Sequence, residues 1–529
     1  MSRLLFPAVT LVFVALASPR ARAGEVPVAD VAGLVSAIQA AKAGDTIVLA
    51  PGNYEVHQSK IACEAAGTAD APIVVQAAEL GTVTIRFDAV EGFHVRGPHW
   101  EFANLDIEGI CATDSDCEHA FHVTGAAENT WLHHNRMHGF NAMIKGNGEP
   151  IGPGDSFVWP DDVVIEYNEL YNPAPRDTSN PVTPIDIVGG QRWVLRGNFI
   201  HDHAKGGGDN VSYAAFLKGH SKDGLIERNL VVCELLHSGQ VRLGLSLGGG
   251  GTGPDSICED GACKPEHERG ILRNNLIVNC PADVGIYVNA GADSKIVNNT
   301  LFNTSGIDMR FAQTTGLVAN NLMSGKIRDR DGGSSMKMNN LAELTPADFG
   351  AWFADAGAYD FTLKDGAALV DLGVALPEVT DDYCGNDRDD GKHDIGAIEY
   401  DGDGCVGGVP VEAGSGGGET TGGETGGETT GSGQTSDGAT TSTSGDETGS
   451  SPTSGASSPT SGASSPTSGA STDDESGGLT VGPTAGTDSA GDGGAQTEPS
   501  GCSCRETSGS GRGAWLLGLM LLGLRRRRG

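Results

Sequence analysis

An internal repeat constrains this chain more than any local propensity does. Units too small to bury their own apolar face must stack on their neighbours. Six segments set an asparagine among apolar residues: W-E-F-A-N-L-D-I (Asn104), W-L-H-H-N-R-M-H (Asn135), V-V-I-E-Y-N-E-L (Asn168), W-V-L-R-G-N-F-I (Asn198), G-L-I-E-R-N-L-V (Asn229) and G-I-L-R-N-N-L-I (Asn275). Two shorter copies follow, K-I-V-N-N-T-L-F (Asn299) and G-L-V-A-N-N-L-M (Asn321). The asparagines are 31, 33, 30, 31, 46, 24 and 22 residues apart. The shortest interval is a minimal coil, and the longer ones imply loops inserted at one corner.

Short strands with period-two alternation need a buried face, and piling coil on coil supplies it. An asparagine at each corner tolerates the left-handed bend between strands, and stacked asparagines can bond up and down the pile. A sandwich would instead show hairpin turns every 8–12 residues, and Asn-Gly or Asp-Gly pairs do not recur at that interval. Leucine-rich repeats are the nearest rival, but their regular L-x-x-L-x-L frame is missing. The pattern predicts an all-β, single-stranded right-handed parallel β-helix over residues 24–406. Residues 34–41 have helical spacing suited to capping its open first coil.

The flanks differ in composition. Residues 1–23 combine Arg3, an apolar core from Leu4 to Ala17 and Ala21-Arg22-Ala23, which predicts a cleaved signal peptide and export. Residues 407–501 are Gly, Ser, Thr, Glu and Pro, with three tandem S-S-P-T-S-G-A copies, and should form a disordered stalk. Residues 502–529 carry Cys502, Cys504, a short apolar run and Arg525 to Arg528, which reads as an anchor. Eleven cysteines in an exported chain favour disulfides. The close pairs are Cys111/Cys117 and Cys258/Cys263, with Cys233/Cys280 and Cys384/Cys405 as longer links and Cys63 left over. Zinc held by cysteines would need C-x-x-C spacing, which is absent. A formal net charge of −34 argues against nucleic acid as a partner.

The entry A-G-D-T-I-V-L-A-P-G-N-Y (residues 43–54), together with the asparagine coils, resembles the pectin-lyase-like β-helix superfamily, particularly its chondroitinase B/alginate lyase group. The closing stretches at 361–373 and 382–400 are similar to the terminal element of many surface β-helices. The last 28 residues resemble the sorting signal of myxobacterial surface proteins (MYXO-CTERM), which implies retention at the cell envelope. The lyase resemblance implies a polysaccharide partner. It places a catalytic base at Lys218, in A-F-L-K-G-H-S-K-D-G-L-I-E-R-N, and a charge stabiliser at Arg242, one coil later. In that group Ca²⁺ is bound by carboxylates just before the lysine. Here those positions are Val211, Ser212, Tyr213 and Ala214, with Asp209 and Asn210 out of register, so no cofactor or metal is assigned.

Histidines form a second constellation: His133, His134, His138, His201, His203 and His220. His220 is a further catalytic candidate, and His203 a substrate-binding one, because imidazole beside carboxylate suits general acid work. An N-x-I-H-D ending also arises from a coil corner whose polar groups satisfy the turn. Asp186, Lys218 and Arg310 are expected on one outward strand face, lining a cleft for a sugar chain. Lys218 as a merely solvated strand residue is the opposing reading. Two classes remain open, a polysaccharide lyase and a non-catalytic glycan-binding or adhesion module, with oligomeric state undetermined.

Overall fold

The structure is a computed structural model that describes residues 24–150, 157–388 and 391–400. The expected signal peptide, stalk, sorting segment and Cys405 lie outside the described residues.

The chain coils as a right-handed parallel β-helix. Each turn gives one short strand to each of three parallel sheets. The first sheet has twelve strands, from Glu25–Val28 to Ser334–Met338. The second has ten, from Gly52–Val56 to Leu322–Met323, and the third ten, from Ile61–Cys63 to Lys326–Arg330. Helix Val31–Ala40 caps the first coil by burying Leu34 and Ile38, and the Asp30 side chain accepts a bond from the Gly33 amide.

Stacking aligns like residues. In the first sheet Ile165, Leu195, Ile226, Leu272, Ile296 and Val318 form one fully buried inward column. Each such side chain contributes roughly 1.5–3 kcal/mol. The outward column beside it alternates in sign: Arg196 bonds Glu166 at 3.0 Å and Glu227 at 2.6 Å, and Arg273 bonds Glu227.

The corner between the first and second sheets carries the asparagine ladder. Each amide nitrogen from Asn135 onward donates to the next asparagine: Asn135 to Asn168 (3.1 Å), Asn198 to Asn229 (3.0 Å) and Asn299 to Asn321 (2.9 Å). The ladder runs one rung past the expected end, to Asn340, and at its first rung the Leu105 amide donates to Asn135 Oδ1. Two expectations are corrected. The left-handed residue is the one before the ladder asparagine, as at His134, Tyr167, Gly197 and Arg228. Asn104 is itself such a left-handed residue, so it aligns with His134 and is not a rung.

Inserts lie at two corners, not one. Segments 110–118, 172–184, 202–210 and 233–240 precede third-sheet strands, whereas 148–150, 157–160 and 248–266 follow them. Disulfides Cys111–Cys117 and Cys258–Cys263 clip two inserts, and Cys233–Cys280 joins adjacent coils. Cys384 is disulfide-bonded, and Cys63 is a buried free thiol. The C-terminal segment folds back: Phe349, Phe353, Phe361, Leu369 and Ile395 pack on Phe199, Leu230, Val232, Leu276 and Val278 of the second sheet. With the second sheet covered, the outer face of the third is the one bordered by inserts on both edges.

Candidate functional site

The third-sheet register brings charged and aromatic side chains into rows on that outer face. One row runs His94, His122, Lys145, Asp186, Phe216, Ser246, Tyr287 and Asp308, each directly opposite the next. Val188, Lys218 and then, past Gly248, Asn289 and Arg310 stand two residues further along the same strands. Asp186, Lys218 and Arg310 therefore share one face, as expected. Arg310 lies three coils from Lys218, about 14 Å at the spacing of neighbouring strands.

Lys218 is half-buried. Its ammonium donates to the Gly251 carbonyl at 3.0 Å and lies 4.6 Å from the Phe216 ring centroid. Gly251 belongs to the 248–266 insert, which Glu266 straps over the end of the strand by accepting bonds from the Gly219 amide and from Thr252. Burial pushes the Lys218 amine below its ordinary value, assisted by Lys145, while Asp186 and Glu266 oppose the shift. Burial works to raise the Asp186 carboxyl, but Lys145 and Lys218 outweigh it and hold it down. Lys145 donates to Asp186 at 2.7 Å. Beside this trio Tyr213 meets Phe216 edge-on at 5.6 Å and lies 6.4 Å from Tyr287, in an apolar cluster with Leu243 and Val284; of these residues all but Tyr213 are buried.

The structure does not bring Arg242 to Lys218. Arg242 stands opposite Ser212, six residues before Lys218 on the paired strand, about 20 Å along it. It is 1% exposed and donates to the carbonyls of Cys233, His237 and Gly239. The strand alternation breaks at Ala214 and Ala215, both in the core, so residues on its two sides point differently. Arg242 thus faces inward beneath the 233–240 loop, separated from Lys218 by the coil wall.

His203 and His220 are likewise elsewhere. His203 is fully buried, contacts the Leu243 carbonyl at 2.9 Å, and is held by burial at about 3. No substrate reaches it. His220 sits in the left-handed corner after the strand and turns to the insert, 3.0 Å from the Pro265 carbonyl and 3.5 Å from Asp260. His201 and Asp202 also serve the corner: Asp202 accepts bonds from the amides of Leu235, Leu236 and His237, fixing the 233–240 loop.

Nor does the segment before Lys218 fit calcium. Val211, Ser212, Tyr213 and Ala214 carry no carboxylate, and Asp209 is paired with Lys205. Lys145 escaped sequence reasoning, although Ile144-Lys145-Gly146-Asn147 repeats the pattern of Leu217-Lys218-Gly219-His220.

Against known proteins, a family model described as chondroitinase B matches residues 28–114. Among solved structures the chain is similar to an alginate lyase from Paenibacillus sp. str. FPU-7, at 15% identity over 60% of this chain and 99% of that one, TM-score 0.34. It is also similar to pectate lyase Pel9A, at 14% identity, 69% and 90% coverage and TM-score 0.40. A rhamnogalacturonan lyase aligns at 16% identity, 60% and 85% coverage and TM-score 0.43. A search of curated proteins gave no match.

Proposed function

We propose that the outer face of the third sheet holds an anionic polysaccharide and that Lys218 is the base of a β-elimination. The observation that carries this reading is the half-buried Lys218 amine, lowered by burial and set beside the Lys145–Asp186 pair on a sheet face edged by inserts. A neutral amine accepts the proton α to a uronate carboxylate. The C–H electrons become the new double bond, the C–O bond to the leaving sugar breaks, and the departing oxygen takes a proton from solvent. Lys145 supplies positive charge near the carboxylate in place of Arg242, and Tyr213, half-buried while Phe216 and Tyr287 are buried, offers a ring for a sugar face. The partial family match to chondroitinase B over residues 28–114 supports a polysaccharide partner.

The test is the ultraviolet absorbance of unsaturated uronate ends released from alginate, pectate or glycosaminoglycans. The reading expects a signal that Lys218→Ala removes. No signal on any polyanion, or one that survives the substitution, would end it. A second reading, a non-catalytic glycan-binding or adhesion module, is favoured by the walling-off of Arg242, and it expects binding without product. In either case residues 1–23 direct export, and residues 407–501 and 502–529 act as stalk and envelope anchor. The N-terminus of the mature protein and its cell fraction check that placement.

A further inference from the structure

Beyond Lys218 and its neighbours, the same sheet carries a second cluster near its N-terminal end. Glu91 and His94 lie on strand Glu91–Val95, and His122 on the next, His119–Thr124. One ligand atom from each comes within 4.8 Å of the others. His94 and His122 stack in register, with ring centroids 4.9 Å apart and planes 13° apart.

The hydrogen bonds around the cluster decide which nitrogen each ring presents. Asn147 Nδ2 donates to the Gly148 carbonyl, so Asn147 Oδ1 is left as an acceptor, and it stands 2.7 Å from His122 Nε2. His122 Nε2 therefore carries a hydrogen. In the neutral ring Nδ1 is then a lone pair, 3.0 Å from Glu91 Oε1. Two lone pairs at that distance repel unless a positive species lies between them. Around His94 the pattern repeats. Lys60 Nζ stands 2.9 Å from Nδ1, and Nε2 faces Thr124 Oγ1 at 2.9 Å and Glu149 at 3.6 Å. Glu91 Oε2 is buried without a hydrogen bond, and the Lys60 ammonium is 3.4 Å from it. Both rings thus turn Nδ1 toward Glu91 while an outer partner fixes Nε2, which is how protein ligands to a metal are oriented.

The geometry points to a divalent-cation site formed by Glu91, His94 and His122, with the Lys60 ammonium standing in for the cation until the ion displaces it. Two imidazoles and one carboxylate are the donor set of zinc and related first-row ions, and leave a coordination position open. The Lys60 side chain is 42% exposed, so it can swing into solvent when the ion enters. The Cys258, Cys263 and Glu266 group offers no rival, because its two cysteines are joined to each other. The site stands independently of whether Lys218 is a base.

Zn²⁺ titration of the untagged full-length chain by calorimetry, with Co²⁺ absorption as a second readout, tests this. One equivalent should bind, and His122→Ala or Glu91→Gln should weaken binding at least about tenfold. Lys60→Ala should tighten it several-fold by removing the competing charge, while far-ultraviolet circular dichroism stays unchanged. If His122→Ala unfolds the chain, the Lys60→Ala titration decides alone, and no gain in affinity there overturns the proposal. Absence of uptake, or uptake indifferent to His122→Ala and Glu91→Gln, also overturns it and leaves a protonated His122 as the whole content of the contact.

Discussion

The ladder corner and the outer face of the third sheet are built from the same coils yet obey opposite rules. At the corner, one uncharged side chain repeats from Asn135 to Asn340, and every rung satisfies the next. On the face, the residue changes along the row: histidine twice, then lysine, aspartate, phenylalanine, serine, tyrosine and aspartate. Repetition is what stacking demands. Departure from it, with buried charge and inserts alongside, marks where the fold is spared that duty. Stability should therefore reside at the corner and chemistry on the face.

The largest expected contrast comes from Lys218→Ala. It should lower turnover of a uronate polymer at least about hundredfold, the loss typical of removing a positioned base, with little change in melting temperature. Because burial holds the amine below 10.5, the rate should rise with pH through a midpoint lower than an ordinary lysine gives. Next, Asn198→Ala should cost about 3 kcal/mol in denaturant unfolding. It leaves the buried Asn168 amide without its acceptor, removes one of the three bonds made by Asn168 Nδ2, and takes the Asn198 donor from the Ile165 carbonyl. Turnover by the folded fraction should be unchanged.

Acid sharpens the comparison, because the ladder has nothing to titrate. His119 is half-buried and His203 and His267 are fully buried, and all three are held at about 3, against 6.5 when unfolded. Their folded values are depressed, so the unfolded chain binds more protons between those limits. Stability should be intact above pH 6.5 and fall toward pH 3, by up to about 1.4 kcal/mol per unit for each histidine. Denaturant titrations across that range check the slope. Smallest is Asn104→Ala, expected to cost about 1 kcal/mol or less, since Asn104 makes one long bond of 3.4 Å to the Ala77 carbonyl. A cost equal to that of Asn198→Ala would mean that ladder position does not matter.

The difference between the regions also explains what the sequence disclosed. The coil repeat, the capping helix and three disulfides were legible because each follows from local pattern or spacing. Asn104 misled by one residue because asparagine suits both the left-handed position and the rung. Asn340 was within reach, in Met338-Asn339-Asn340-Leu341, but its flanks are less apolar. The face was legible in parity only, which placed Asp186, Lys218 and Arg310 correctly together. Arg242 was misplaced because the resemblance set it one coil after Lys218, whereas the strand register puts it opposite Ser212, six residues short. His203 was misplaced because a loop buries it, and burial by loops leaves no periodic trace.

One paired measurement tests the division of labour most directly: the affinity for an anionic polysaccharide of Lys218→Gln, on the third-sheet face, against Lys295→Gln, on the first sheet. Both remove one positive charge from the same chain. The account predicts at least about a tenfold loss for the first and none for the second. Equal losses would show that overall charge attracts the polymer and that the third-sheet face is not its site.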